Sequence, residues 1–126
     1  DTSIWITYFR EFADDRSVRI KQRLKQLITE HNIVLCGMVL TELIQGVFEQ
    51  HEQEMLSVLS SFAYLETTRA IFEDAGRQGR ALKNRGLTVP DYDCLIAATA
   101  MAYDSTLVTA DRHFERFPDL KLLLLE

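Results

Sequence analysis

Apolar positions along the chain recur at helical and strand-like spacings. Ile4, Trp5, Tyr8, Phe9 and Phe12 fall three to four residues apart, which predicts a helix over residues 3–12 with Thr2 or Ser3 placed to cap its start. Ile20, Leu24, Leu27 and Ile28 draw one stripe through a basic stretch and predict a second helix over 17–31, with the Asp14-Asp15 pair as the intervening turn. Residues 33–36 are a short apolar run of strand length, closed by Gly37. Helical spacing returns over 38–50 through Leu40, Leu43, Ile44, Val47 and Phe48, and again over 52–62 through Met55, Leu56, Leu59 and Phe62. Residues 63–66 suit an edge or short strand. From Thr67 or Thr68 a long helix runs to about residue 85, with an inner stripe of Ile71, Ala75, Gly79 and Leu82 whose small members allow close approach of a neighbour. Gly86 ends that helix, Pro90 marks the next turn, and Asp91 or Asp93 opens a helix to about residue 103 that is apolar nearly all round, the mark of burial between layers. Residues 106–109 predict a strand, 112–117 a short helix or turn, and 121–125 a last strand.

Strand-length apolar runs separated by helices predict an α/β fold with a mostly parallel sheet covered on both faces. Ligands of such sheets bind beyond the carboxyl ends of the strands. Asp111 lies just past one such end, and Glu42 and Asp93 lie early in helices that begin there. Asp1 is expected at the carboxyl end of a first strand that the 126 residues do not contain, so the chain is expected to be one domain over residues 1–126 lacking that strand.

The four carboxylates Asp1, Glu42, Asp93 and Asp111 each sit at the edge of a separate apolar run. Gathered by the fold, they form a self-repelling pocket that a divalent cation relieves, which points to metal-dependent hydrolysis. The same repulsion raises carboxyl pKa values and predicts activity that rises with pH through the acidic range. Asp91, two residues from Asp93, fits the turn or cap better than the cluster.

Composition narrows the classes. A 47% hydrophobic fraction with two prolines and five glycines excludes disorder and fibrous repeats. No apolar run approaches the ~20 residues that span a bilayer, and no signal-like start is present, so a soluble, cytoplasmic protein without membrane association is expected. Fourteen basic against nineteen acidic residues give a net charge of −5, which argues against non-specific coating of nucleic acid but not against cutting it. Cys36 and Cys94 lie in apolar segments and read as buried free thiols. His31, His51 and His113 match no zinc-ligand spacing, although His113 follows Asp111 closely enough to touch backbone or substrate. No phosphate-binding glycine loop and no nucleophile-elbow serine is present.

The opening Asp1-Thr2-Ser3-Ile4-Trp5, the central Thr41-Glu42-Leu43 with Gly46, and Asp93-Cys94-Leu95-Ile96-Ala97-Ala98-Thr99-Ala100 followed by Leu107-Val108-Thr109-Ala110-Asp111 and His113-Phe114 stand in a distinctive order. In that order and spacing the chain resembles the PIN-domain family, most closely its small VapC-type toxins of prokaryotic toxin–antitoxin pairs. The resemblance covers essentially the whole chain. It implies a three-layer α/β/α domain, dependence on Mg²⁺ or Mn²⁺, endoribonuclease activity on structured RNA such as tRNA or rRNA, homodimerisation, and inhibition by a cognate antitoxin. It also implies that Asp1, Glu42, Asp93 and Asp111 are the family's four acids in order, with Asp1 and Asp93 first as direct metal ligands. Thr109 matches the family's supporting hydroxyl, and Ser3 is a further polar candidate beside Asp1.

An RNA substrate needs cations beside the acidic pocket. The expected ones are Arg77, Arg80, Lys83 and Arg85 on and after the long helix, with Arg112 and Arg116 beyond the fourth acid; Arg69 and Arg10 are weaker candidates. An antitoxin is expected to lay an apolar helix near the first two helices and the 38–50 helix and to insert a basic side chain into the pocket. The competing readings are a PIN nuclease of RNA processing or DNA cleavage outside toxin systems, and an inactive PIN-like binding protein.

Overall fold

A computed structural model describes residues 1–11 and 14–126; Phe12, expected on the first helix, lies outside them. In chain order the elements are α1 (Thr2–Phe9), α2 (Asp15–Glu30), β1 (Val34–Cys36), α3 (Gly37–Gly46), α4 (Glu49–Leu59), β2 (Ala63–Leu65), α5 (Arg69–Asn84), α6 (Asp91–Ala102), β3 (Leu107–Thr109), a 3-10 helix (Arg112–Arg116) and β4 (Leu122–Leu124). Helices flank a central parallel β layer, as the alternation of runs predicts. Among the described residues no helix is long and apolar enough to cross a membrane.

The β layer consists of two parallel pairs, β1 with β2 and β3 with β4. Val34 pairs with Ala63 and Cys36 with Leu65, while Leu107 pairs with Leu122 and Thr109 with Leu124. Between the pairs lies a cavity of about 610 Å³ whose walls include Leu35 of β1, Leu107 and Val108 of β3, Trp5, Leu24 and Ile96. Asp1 lines it too, and the backbone nitrogen of Asp1 donates to the carbonyl of Val108.

Local chemistry sets the helix ends. Asp14, expected in a turn, instead caps α2, its carboxylate accepting from the Ser17 amide at 2.9 Å; those bonds hold its pKa below the usual carboxylate range. Thr68 accepts from the Ile71 amide to start α5. At the other end Gly86 has φ +79°, and the paired bonds from Gly86 to Lys83 and from Leu87 to Leu82 close the helix. The helix expected over 38–50 is two elements. It stops at Gly46, Val47 turns extended, and α4 starts after Phe48 with Glu49 and Glu52 in its first turn, where acids favour a helix N-terminus. Phe48 misleads the periodicity because it is apolar yet 76% exposed, so no burial holds it on a helical stripe.

The core joins these elements. Helix α6 buries Cys94 and every residue from Ile96 to Ala100, and its alanines let α5 pack close: a β-carbon on Gly79 would stand 3.4 Å from Cys94 Sγ. Cys36 and Cys94 are free and buried, as expected. Trp5 is buried, with Phe62 at 5.4 Å and Tyr8 at 5.7 Å between ring centroids. The aromatics of α1 therefore serve packing.

Leu82, buried on the face of α5 that meets α6, is expected to be a stability determinant, and Phe48 is not. In chemical denaturation, Leu82→Ala should lose about 2–5 kcal/mol, whereas Phe48→Ser should stay within about 0.5 kcal/mol of the parent.

Candidate functional site

Three hydroxyls organise the site. Ser3, on the first turn of α1, donates to Asp1 Oδ1 at 2.7 Å and accepts from the Ala110 amide at 3.0 Å. Its oxygen lies 3.5 Å from Thr109 Oγ1, which accepts from the Asp111 amide at 2.9 Å. Thr109 is fully buried at the carboxyl end of β3. These bonds tie the start of α1 to the end of β3 and bring Asp1 and Asp111 to one place. Neither Thr2 nor Ser3 caps α1 with its side chain, because both hydroxyls are spent on other groups.

Thr2 spends its hydroxyl on the second acid, donating to Glu42 Oε1 at 2.8 Å. Glu42 is the sixth residue of α3 rather than an early one, because the helix begins at Gly37 and takes in the residue expected to close β1. Contacts of α3 with α1, α6 and β1 carry Glu42 to the same end of the β layer.

Asp93 falls in the first turn of α6, and Pro90, not an aspartate, is the N-cap. A helix N-terminus favours a carboxylate, yet the Asp93 carboxyl is pushed up to about 6, first by burial and then by the charges of Asp111 and Glu42, with His113 acting weakly the other way. Asp93, Glu42 and Asp111 therefore share one electrostatic environment. Asp91 is exposed and faces a different groove, so the separation of the two neighbours holds. Asp111 has two uses: its Oδ1 accepts from the His113 amide at 2.8 Å, capping the 3-10 helix, and lies 2.9 Å from His113 Nδ1.

Among the described residues, no three His, Cys, Asp or Glu side chains form a ready-made metal cage. The donors nevertheless fit a hard divalent cation. All are carboxylate oxygens, burial and neighbouring negative charge penalise the ionised form of Asp93, which a cation would favour, and Mg²⁺ keeps several waters while taking only one or two carboxylates.

A PIN-domain family model matches residues 1–120. The chain belongs to the PIN-domain family. Among its relatives, it is 34% identical over 100 residues to the ribonuclease VapC19 of Mycobacterium tuberculosis, covering 78% of this chain and 80% of that protein. It is 28% identical to the ribonuclease VapC1 of Methanocaldococcus jannaschii, with 100% of this chain and 85% of that one covered. In three dimensions it is similar to a chain of VapBC2 from Rickettsia felis, a structure solved with a DNA fragment from the promoter, at TM-score 0.80 and 25% identity over 100% of this chain and 96% of the other. VapC-type ribonucleases are thus the kin of this PIN domain.

The structure divides the expected cations of the PIN domain. Arg77 is paired with Asp74 at 2.6 Å and Glu73 at 3.6 Å, and Arg112 with Glu126 and Glu115. Arg116 reaches the Thr88 carbonyl at 3.4 Å. Arg80 and Lys83 line a groove of about 510 Å³ between α5 and α6, together with Gly76, Thr88 and Asp91. Arg85 is the exposed C-cap of α5. Arg69 is paired with Glu73, and Arg10 is the exposed C-cap of α1. Two residues escape sequence reasoning. Arg16 of α2 donates to the Ala110 carbonyl at 3.3 Å, next to Asp111, and nothing in a contact between residues 94 apart is visible along the chain. Thr2 reads as a helix cap, and only its place beside Asp1 hints at more.

The raised pKa of Asp93 makes a stability prediction. The native state holds this proton more tightly than the unfolded chain does, so the favourable contribution is complete below the ordinary carboxylate pKa and is lost as pH rises through about 6. In metal-free buffer Asp93→Asn should therefore melt at a higher temperature than the parent at pH 7, and the gain should shrink as pH falls from 6 towards 4. Calorimetry across that range checks it; a lower Tm at pH 7 would contradict the shared environment.

Proposed function

We propose that this PIN domain is a Mg²⁺- or Mn²⁺-dependent endoribonuclease, the toxin of a toxin–antitoxin pair, that hydrolyses phosphodiester bonds in structured RNA such as tRNA or rRNA. The observation that carries the reading is that Asp93 feels the charges of Asp111 and Glu42, beside an Asp1 anchored by Ser3 and a β3 end anchored by Thr109. Kinship with VapC ribonucleases supports the choice of RNA.

Asp1 and Asp93 are the first candidates to hold the cation, with Glu42 and Asp111 completing the set. A bound dication supplies Lewis acidity to the phosphate oxygens and to the attacking water. The protein residues do the rest. Ser3 and Thr109 fix where Asp1 and Asp111 stand, and half-burial of Asp93 keeps competing bulk water low. For RNA, Arg80, Lys83 and Arg85 have no acidic partner within 4.0 Å among the described residues, so their charge is free for phosphates, Arg80 and Lys83 from the α5–α6 groove; Arg116 reaches Thr88 of that groove, and Arg16 stands at the carbonyl next to Asp111. Arg77 and Arg112 reach phosphate only by giving up ion pairs.

The exposed apolar side chains Ile44, Phe48, Phe72 and Tyr92 offer surface to partners. A homodimer and a cognate antitoxin are the partners proposed, supported by likeness to a chain of the VapBC2 complex. RNA as substrate implies a cytoplasmic site of action.

The test uses metal-stripped protein on defined tRNA and rRNA fragments, with and without Mg²⁺ or Mn²⁺. Discrete products should require metal, and Asp93→Asn should lower the rate at least about 100-fold, beyond the loss that removing a supporting group brings. Cleavage that survives both changes would refute the reading, and metal binding without any cleavage would leave a PIN-like binding protein. Replacing Arg80 and Lys83 together by Ala should weaken RNA binding and flatten its dependence on log salt by roughly 0.7 for each single-strand phosphate that the protein no longer neutralises, measured by fluorescence anisotropy.

A further inference from the structure

Several threonine hydroxyls in this protein bond back into their own helices. Thr7, Thr29 and Thr41 each donate to the carbonyl four residues behind in their own helix, a bond that satisfies the hydroxyl and says nothing about function. Thr2 does not. As the first residue of α1 it has no helical carbonyl four residues behind it, and its hydroxyl crosses to Glu42, forty positions along the chain. It is only 7% exposed, so water is a poor substitute partner. The bond occupies Glu42 Oε1 and, among the described residues, Oε2 accepts from no protein group.

We propose that Thr2 is the positioning residue of Glu42: its buried hydroxyl fixes one carboxylate oxygen so that the other is presented to the cation held in the acidic pocket. This rests on the metal-site reading above and deepens it. A glutamate on a helix has three side-chain torsions, and an unrestrained one spreads its charge over many positions. One hydrogen bond to a side chain that is itself buried selects among them before the cation arrives. Ser3 does the same for Asp1 through Oδ1, so two consecutive hydroxyls on one helical turn orient two acids that are distant in sequence.

The test measures Mn²⁺ affinity of the RNA-free protein by titration calorimetry for the parent, Thr2→Val, Thr2→Ser and Glu42→Gln, and for the Thr2→Val, Glu42→Gln double variant. Thr2→Val keeps the shape and removes the donor, and should weaken binding about 10-fold, within the 10–100-fold that loss of a ligand's hydrogen-bond partner brings. Thr2→Ser restores the donor and should bind within about 3-fold of the parent. In the Glu42→Gln background, Thr2→Val should cost nothing more, because its effect runs through that carboxylate. Glu42→Gln weaker with Thr2→Val unchanged overturns the proposal and leaves the metal site standing. Parent-like binding by Glu42→Gln overturns the proposal and takes Glu42 out of the metal set, whereas no Mn²⁺ binding by the parent overturns both. Equal losses from Thr2→Val with and without Glu42 would assign Thr2 to packing instead. If Thr2→Val does not fold by circular dichroism, Thr2→Ala takes its place; failure of both to fold, with Thr2→Ser folded, refutes a positioning role in favour of a structural one.

Discussion

Carboxylates brought together in a half-buried pocket repel one another, and that repulsion is the constraint on which the architecture turns. Asp93 feels it on top of burial: desolvation first, then the charges of Asp111 and Glu42, push its carboxyl up despite the favourable position at a helix N-terminus. A fold that keeps such groups adjacent must restrain each one separately. Here the restraint comes from short hydroxyl and amide bonds. Ser3 holds Asp1, Thr2 holds Glu42, and Thr109 with the His113 amide holds Asp111. Asp93 has no such bond among the described residues, and its carboxyl is the one that burial and these neighbours push up.

The restraining groups need rigid supports, and packing supplies them. Thr109 is at zero exposure at the end of β3, whose three residues pair in parallel with β4. Asp93 rides on α6, whose buried run from Ile96 to Ala100 leaves little freedom to rotate or slide, and Gly79 lets α5 close against it. Glu42 rides on α3, which contacts both α1 and α6. Asp1 lines the apolar cavity between β1 and β3, and Ser3 ties it to the Ala110 amide beyond β3.

Much of this is legible along the chain, for identifiable reasons. Apolar runs with strand length or helical spacing locate nearly every element, because burial imposes those periods. The break between α3 and α4 is not legible, since Phe48 continues an apolar pattern that exposure makes irrelevant. Asp14 reads as a turn and is a cap, a distinction decided by one bond to Ser17. The acids Asp1, Glu42, Asp93 and Asp111 stand out by position at the edges of apolar runs. What joins them does not, because the bonds that cross between elements link residues far apart in sequence: 40 residues for Thr2 to Glu42, 107 for Ala110 to Ser3.

Charge shows the same limit in another form. A net charge of −5 describes the whole chain, but the proposed RNA substrate would meet only the surface near the pocket. Arginines neutralised within their own helix, such as Arg77 beside Glu73 and Asp74, count in the total and contribute little to that local field. Arg80 and Lys83 on the neighbouring face have no such partner, and Arg16 is brought in from another helix to the carbonyl next to Asp111. An acidic protein can thus keep local basic groups, Arg16 among them at the carbonyl next to the fourth acid. A substrate phosphate would be attracted to such groups and repelled by the carboxylates until a cation is present. Under the proposed function, that ordering couples RNA engagement to metal occupancy without any moving part, because the same carboxylates that would bind the ion would otherwise repel the substrate.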